Sequence, residues 1–183
     1  MYHHQLPNLI SLIRLLLVAP SVSLFLNQNY LLTLLLVVVI SVSDGIDGFL
    51  ARKFGWVSDF GSILDPIADK VLIVIFFILF GLHGLIPIEL MAAVIIRDFL
   101  ILYGYINMRM LGSKTIIAPD PLSKINTFFE FILIVIIIIG SQIASLPALV
   151  FEITGAIVVA LSFTSLIKYS LVWSKVLIKM ILC

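Results

Sequence analysis

The 183-residue chain is 62% hydrophobic and only 11% charged, with a mean hydropathy of +1.27 and a formal net charge of +1. Soluble domains carry far less apolar content, so the composition describes an integral membrane protein and excludes an ordinary water-soluble enzyme. Near-zero charge gives no bulk attraction to nucleic acid, and the single cysteine, Cys183, permits neither an internal disulfide nor a cysteine-built metal site.

The N-terminal stretch MYHHQLPNLISLIRLLLVAPSVS has no Lys or Arg ahead of its apolar run, and Arg14 interrupts the run itself. A cleaved signal has a basic leading region and an unbroken apolar core, so this segment reads as a retained first helix. Apolar runs of about 20 residues, the length that crosses a bilayer, then recur between breakers. They predict six transmembrane helices: 7–26, 30–52, 60–80, 88–108, a fifth from Leu122 through FILIVIIII, and 147–169. The connections are NQN, KFGWVSD, GLHGLIP, RMLGSKTIIAPDP and SQIASLP, and SLVWSKVLIKMILC closes the chain as a basic amphipathic tail. No repeat, low-complexity segment or soluble module interrupts the pattern, so residues 1–183 read as one all-α, polytopic membrane domain.

Lys and Arg mark the cytosolic loops of a membrane protein. With six spans, the termini and the loops after spans two and four share one side. That side receives Arg52, Lys53, Arg109, Lys114, Lys124, Lys168, Lys175 and Lys179, and the opposite loops hold no Lys or Arg. Both termini are therefore expected in the cytosol, with the protein in a bacterial inner membrane or the inner membrane of an organelle.

Within this apolar chain, SDGIDGFLARKFGWVSDFGSILDPIADK contains five aspartates. A charge at membrane depth costs roughly 2.5–3.5 kcal/mol on insertion scales, so a run of them asks for a function. A solvated helix cap accounts for Asp59. Asp44 and Asp47 are three apart, Asp65 and Asp69 four apart, and each pair shares one helix face. They fall at the cytosolic ends of spans two and three, which a short turn joins as antiparallel neighbours, so the pairs are able to face each other. Four gathered carboxylates repel unless cations or protons intervene, and an all-oxygen set selects Mg²⁺, Mn²⁺ or Ca²⁺ over zinc. Two such ions suit transfer at phosphorus, because they stabilise both the attacking and the leaving oxygen. Gly45, Gly48, Ala51, Gly61 and Ala68 keep the surfaces low, which serves either a bulky polar ligand or plain close helix packing.

Written out, the residues read D-x2-D-G-x2-A-R-x8-G-x3-D-x3-D: Asp44, Asp47, Gly48, Ala51, Arg52, Gly61, Asp65 and Asp69. This resembles the signature of the CDP-alcohol phosphatidyltransferases at every fixed position. NLISLIR, with Asn8, Ser11 and Arg14, is similar to that family's N-terminal N-x2-[ST]-x2-R element. The likeness covers nearly the whole chain, six spans being the family's usual core. It implies that Asp44, Asp47, Asp65 and Asp69 bind a pair of divalent ions, Mg²⁺ or Mn²⁺, and that Asp69 is also the catalytic base toward the acceptor hydroxyl. It implies that Asn8, Ser11, Gly48, Ala51, Arg52 and Gly61 receive the cytidine diphosphate part of CDP-diacylglycerol. The hydroxyl would attack the phosphorus bearing diacylglycerol, and CMP would leave. A homodimer is implied as well. Position 45 departs from the family pattern, with Gly where a bulky, often aromatic residue is expected.

The remaining polar residues leave alternatives open. Arg97 and Asp98 stand mid-span, where Arg97 either binds the acceptor or forms a structural ion pair. Lys124 and Asn126 open the fifth span, either to hold an acceptor phosphate or to anchor at the headgroups. Lys70 pairs with the acidic cluster or snorkels. Glu130 and Glu152 read as buried acids without an assigned role, and His3, His4 and His83 as terminal or loop residues. Phe and Trp read as lipid-facing or interfacial packing.

Two other function classes place carboxylates in a membrane. An aromatic prenyltransferase also binds a diphosphate through Asp and Mg²⁺, but it wants two separated Asp-rich motifs, whereas all four acids here lie within 26 residues. A cation transporter predicts an internal repeat or mid-bilayer acids in both halves, and the sequence shows neither. For the acceptor, IIRDFLILYG followed by PLSKINT is more similar to the eukaryotic-type, CMP-forming cardiolipin synthases, implying phosphatidylglycerol and a cardiolipin product. Glycerol-3-phosphate, giving phosphatidylglycerophosphate, is the alternative; those enzymes tend to carry Arg-Glu and a G-K-x-K-T element.

Overall fold

In a computed structural model the described residues form six α-helices in order: α1 Leu6–Leu26, α2 Tyr30–Phe54, α3 Gly61–Leu82, α4 Ile88–Met110, α5 Pro121–Ile138 and α6 Ala148–Leu182. A π-helical turn, Ile139–Ile143, prolongs α5. The structure describes residues 6–54, 61–110, 121–143 and 146–182, and side chains within them at 12–43, 70–104, 106–107, 121–141 and 146–174. Each expected span has a helix, with ends within a few residues of expectation everywhere but at α6.

The ends of α1 and α3 show why the chain breaks at NQN and GLHGLIP. After α1, the Asn29 N–H donates to the Leu24 carbonyl (2.9 Å) and the Gln28 N–H to that of Phe25 (2.9 Å). After α3, the Leu85 N–H donates to the Phe80 carbonyl (2.9 Å) and the Gly84 N–H to that of Gly81 (3.1 Å). This bond pair satisfies the last helical carbonyls and needs a left-handed residue between its donors. Gln28 at φ 61° and Gly84 at φ 67° supply it. Prolines mark the starts. Pro87 and Pro147 precede α4 and α6, and their carbonyls accept from the N–H groups of Met91 (3.2 Å) and Val150 (3.0 Å). Pro121 is the first residue of α5, where its missing N–H costs nothing.

Two described segments, Pro121–Ser141 and Ala148–Ser174, are long and apolar enough to cross a membrane, and Leu12–Leu26, Tyr30–Ser43 and Lys70–Leu82 are shorter apolar helices. Large side chains including Leu16, Leu35, Ile96, Phe99, Phe163 and Ile167 point outward. Soluble proteins rarely leave contiguous apolar surface of this kind to water, whereas lipid tails are apolar surroundings that match it.

Contacts divide the chain into two compact units. The first falls within Met1–Phe76 and Ile134–Leu146. There α2 packs on α1 and on the π-turn, around Val18, Phe25, Val37, Ile40 and Phe76. The Phe25 ring meets those of Tyr30 and Phe76 edge-on, with centroids 5.4 and 6.3 Å apart. The second unit falls within Phe77–Leu133 and Pro147–Cys183. Its helices α4 and α6 pack together, and its buried apolar residues include Phe77, Phe80, Leu90, Val94, Leu133 and Val158.

Three expectations are corrected. The C-terminal tail is not separate from the last span, because α6 runs for 35 residues to Leu182. It contains no proline or glycine after Gly155, and Trp173 seats so closely on Gly104 of α4 that an added Cβ would strike the indole. The aromatic residues are not all lipid-facing, because Phe76, Phe77 and Phe80 are 0% exposed and form core while Phe99 and Phe163 face outward. Glu152 is exposed rather than buried. It stands near the N-terminus of α6, where the positive helix end tolerates an acid.

Candidate active site

The acids stand on regular helix. An uninterrupted apolar run, YLLTLLLVVVISV, carries α2 through Asp44 and Asp47 and on through Gly48, Ala51 and Arg52, despite two glycines at roughly 1 kcal/mol each. Gly61 is the first residue of α3, and Asp65 and Asp69 follow in its second and third turns. Spacings of three and four put each acidic pair on one helical face. Asn8 and Ser11 lie in the first two turns of α1. The side chains of all these residues, and Asp59 altogether, lie outside the described residues.

The donor set suits a hard divalent ion. Four carboxylates, with no cysteine or histidine among them, offer only oxygen, the ligand chemistry of Mg²⁺ and Mn²⁺. Among the described residues no group of three or more His, Cys, Asp or Glu side chains could hold a metal.

The described side chains reveal a second polar cluster, inside the second unit and contributed by α4, α5 and α6. Arg97, 1% exposed, is its centre. Its Nη1 donates to Asp98 Oδ1 and lies 3.8 Å from Glu130 Oε1. Its Nη2 donates to Ser123 Oγ (2.8 Å) and to Ser165 Oγ (3.1 Å). Asn126, 0% exposed, donates through Nδ2 to Glu130 Oε1 (2.6 Å) and to Ser162 Oγ (3.2 Å). Taking a guanidinium out of water costs several kcal/mol unless it is paired and hydrogen-bonded, and here it has both. Of the three expected acceptor residues, Arg97 and Asn126 thus meet in one buried network through Glu130. Lys124 is not part of it and is exposed. Lys70 is half-buried. His83 lies in the turn after α3, with Nδ1 2.8 Å from the Leu79 carbonyl oxygen.

Sequence reasoning gave Ser162 and Ser165 no role and left Glu130 unassigned. The available signal was small hydroxyls three apart in the apolar run VVALSFTSLIK, a usual device for joining membrane helices.

Known proteins are similar to this chain over most of its length. A family model described as CDP-alcohol phosphatidyltransferase matches residues 4–179. The CMP-forming cardiolipin synthase of Rattus norvegicus is 32% identical over 168 residues, which cover 83% of this chain and 53% of the relative. A chloroplastic CDP-diacylglycerol–glycerol-3-phosphate 3-phosphatidyltransferase of Oryza sativa subsp. japonica is 35% identical over 148 residues, 71% of this chain and 45% of the relative. The chain thus spans about half the length of these two relatives. The CDP-diacylglycerol–glycerol-3-phosphate 3-phosphatidyltransferase of Rickettsia typhi is 29% identical over 171 residues, 91% of this chain and 94% of the relative. The match runs across both units and through the acidic pattern of α2 and α3, and the chain belongs to the CDP-alcohol phosphatidyltransferase family.

Proposed function

We propose that the protein transfers a phosphatidyl group from CDP-diacylglycerol to an alcohol and releases CMP, with phosphatidylglycerol as acceptor and cardiolipin as product. The observation that carries the reaction type is the eight-residue pattern from Asp44 to Asp69, set on the helical ends of α2 and α3. Asp44, Asp47, Asp65 and Asp69 would hold Mg²⁺ or Mn²⁺, two ions in the fullest form. When bound, the metal supplies charge neutralisation for the diphosphate and the leaving CMP. Asp69 takes the proton from the acceptor hydroxyl as its oxygen bonds to the phosphorus bearing diacylglycerol, and the bond from that phosphorus to the CMP oxygen breaks. Asn8, Ser11, Gly48, Ala51, Arg52 and Gly61 receive the cytidine diphosphate, the small residues letting it approach the helix backbone. Lys124, an exposed cation in the first turn of α5, pairs with the acceptor's phosphate.

All six helices cross the membrane in this reading. At 1.5 Å per residue, 21 to 25 residues in α1–α4 give about 31–38 Å, enough for a hydrocarbon core of about 30 Å. The Lys and Arg distribution puts both termini and the acidic helix ends in the cytosol. Residues 1–183 act as one catalytic domain, and the enzyme is a homodimer.

The acceptor assignment rests on Arg97–Asp98 and on SKINT at 123–127, the stretches similar to cardiolipin-type enzymes. Transfer to glycerol-3-phosphate is the second reading, favoured by the nearly end-to-end match to the Rickettsia typhi relative. Purified protein given CDP-diacylglycerol, Mg²⁺ and each acceptor separately distinguishes them. CMP with phosphatidylglycerol supports the first; CMP with glycerol-3-phosphate alone establishes the second.

A further inference from the structure

We infer that Glu130, Ser162 and Ser165 are positioning residues, which with Arg97 and Asn126 tie the first turns of α5 to α4 and α6 and thereby fix where Lys124 stands. The inference rests on the assignment of Lys124 to the acceptor phosphate.

The geometry is that of a three-helix clasp. Ser123, Asn126 and Glu130 follow at spacings of three and four, so they line one face of α5. Ser162 and Ser165, three apart, line one face of α6. Arg97 of α4 spans the gap, with Nη1 toward carboxylate and Nη2 donating to a hydroxyl of α5 (2.8 Å) and one of α6 (3.1 Å). A planar guanidinium fork accepts few orientations of its partners. Asn126 adds an independent tie, binding Glu130 on its own helix (2.6 Å) and Ser162 on α6 (3.2 Å).

These contacts stand or fall together. A one-residue rotation of α5 would turn its polar face through about 100° and part Ser123, Asn126 and Glu130 from their partners at once. Each further polar group stripped of its partner in apolar surroundings adds about 1–3 kcal/mol, so the clasp favours one rotation of α5. Lys124 directly follows Ser123 and emerges on an exposed face. Its long, flexible stem tolerates small errors, but the point from which it reaches is set by the clasp. Arg97 and Glu130 thereby act on the acceptor through Lys124.

The test uses the full-length protein purified in mixed lipid–detergent micelles, with CMP release as the readout. Phosphatidylglycerol and glycerol-3-phosphate are each assayed, and apparent KM values are measured for the acceptor turned over and for CDP-diacylglycerol. Glu130→Gln keeps the volume and an acceptor for Asn126 but removes the charge facing Arg97. It is expected to raise the acceptor KM about tenfold, the scale of a weakened charge-assisted contact, with the CDP-diacylglycerol KM within about twofold of wild type. Ser165→Ala is expected to move the acceptor KM in the same direction by less, and carries the comparison alone if Glu130→Gln does not fold. Combined with Lys124→Ala, Glu130→Gln should add almost nothing beyond Lys124→Ala, since residues acting through one another are not additive.

Multiplying effects in the double variant, or equal increases in both KM values, would overturn the inference. A lowered unfolding temperature with unchanged KM values would do the same. If Lys124→Ala raises the acceptor KM while Glu130→Gln and Ser165→Ala leave it alone, the inference fails and the acceptor assignment stands. An unchanged acceptor KM in Lys124→Ala removes both.

Discussion

At Asp69 the proposal asks one carboxylate both to hold a metal and to accept a proton. Asp69→Asn keeps the shape and loses both roles, so CMP release should fall by at least the roughly 10²–10⁴-fold that a general base contributes. Helical circular dichroism should stay unchanged, and excess EDTA should silence the wild type equally. A near-normal rate in either case would remove the acids from the chemistry. The buried acid Asp98 makes the opposite prediction. Asp98→Ala takes a partner from a 1%-exposed guanidinium, which costs about 3–5 kcal/mol where a buried pair is broken. Thermal unfolding should show that loss, and an unchanged midpoint would mean the pair is not sustaining the fold. The sequence distinguished these two acid classes only in part. The pattern of Asp44, Asp47, Asp65 and Asp69 is readable in the sequence because its spacing is local. The role of Glu130 was not, because Arg97, the cation it faces, lies on another helix and only packing brings the two within reach.

Among elements, three glycines form a graded test of how closely the helices pack. At Gly104 a Cβ would run into the Trp173 indole, a rigid neighbour. Gly104→Ala should therefore destabilise by about 1–3 kcal/mol, as overpacking does. At Gly81 the obstacle is the Met91 thioether, whose flexible end is able to move, so Gly81→Ala should be close to neutral. At Gly155 the nearest atom, Leu90 Cδ2, lies at an ordinary 3.5 Å. Gly155→Ala should stabilise by roughly 0.5–1 kcal/mol through helix propensity. Denaturation midpoints that do not follow this order would contradict the packing of α4 on α6 at Gly104 and Gly155 and the contact of Met91 with Gly81 of α3. The helices themselves were readable from apolar runs and from NQN, GLHGLIP and the prolines, because breakers act locally. The continuation of α6 to Leu182 was not, since Trp173 meeting Gly104 is a tertiary contact that a change in charge and amphipathicity conceals. The π-turn at Ile139–Ile143 had no sequence signal either, and it is found where the chain packs on α2.

For the molecule as a whole, the proposed topology rests on eight Lys and Arg residues expected on one side and none in the opposite loops. In a Cys183→Ser background, single cysteines replacing Asn29 or Ser58 can be tested with an impermeant thiol reagent added outside intact cells. Labelling is expected at position 29 alone, and the reverse pattern would invert the protein and place its acidic helix ends outside. Composition made the membrane legible and the acidic pattern made the family legible, since both lie in the order of residues along the chain. The acceptor was less so, because its recognition depends on which helices bring Arg97, Lys124 and Asn126 to which surface, and two of the three turned out to be buried. The central claim is phosphatidyl transfer from a CDP-linked donor. Purified protein should release CMP from CDP-diacylglycerol and Mg²⁺ only when phosphatidylglycerol or glycerol-3-phosphate is added, with a phospholipid product formed in equal amount. Folded protein that releases no CMP with any alcohol acceptor, or CMP release that does not depend on an acceptor, would contradict it.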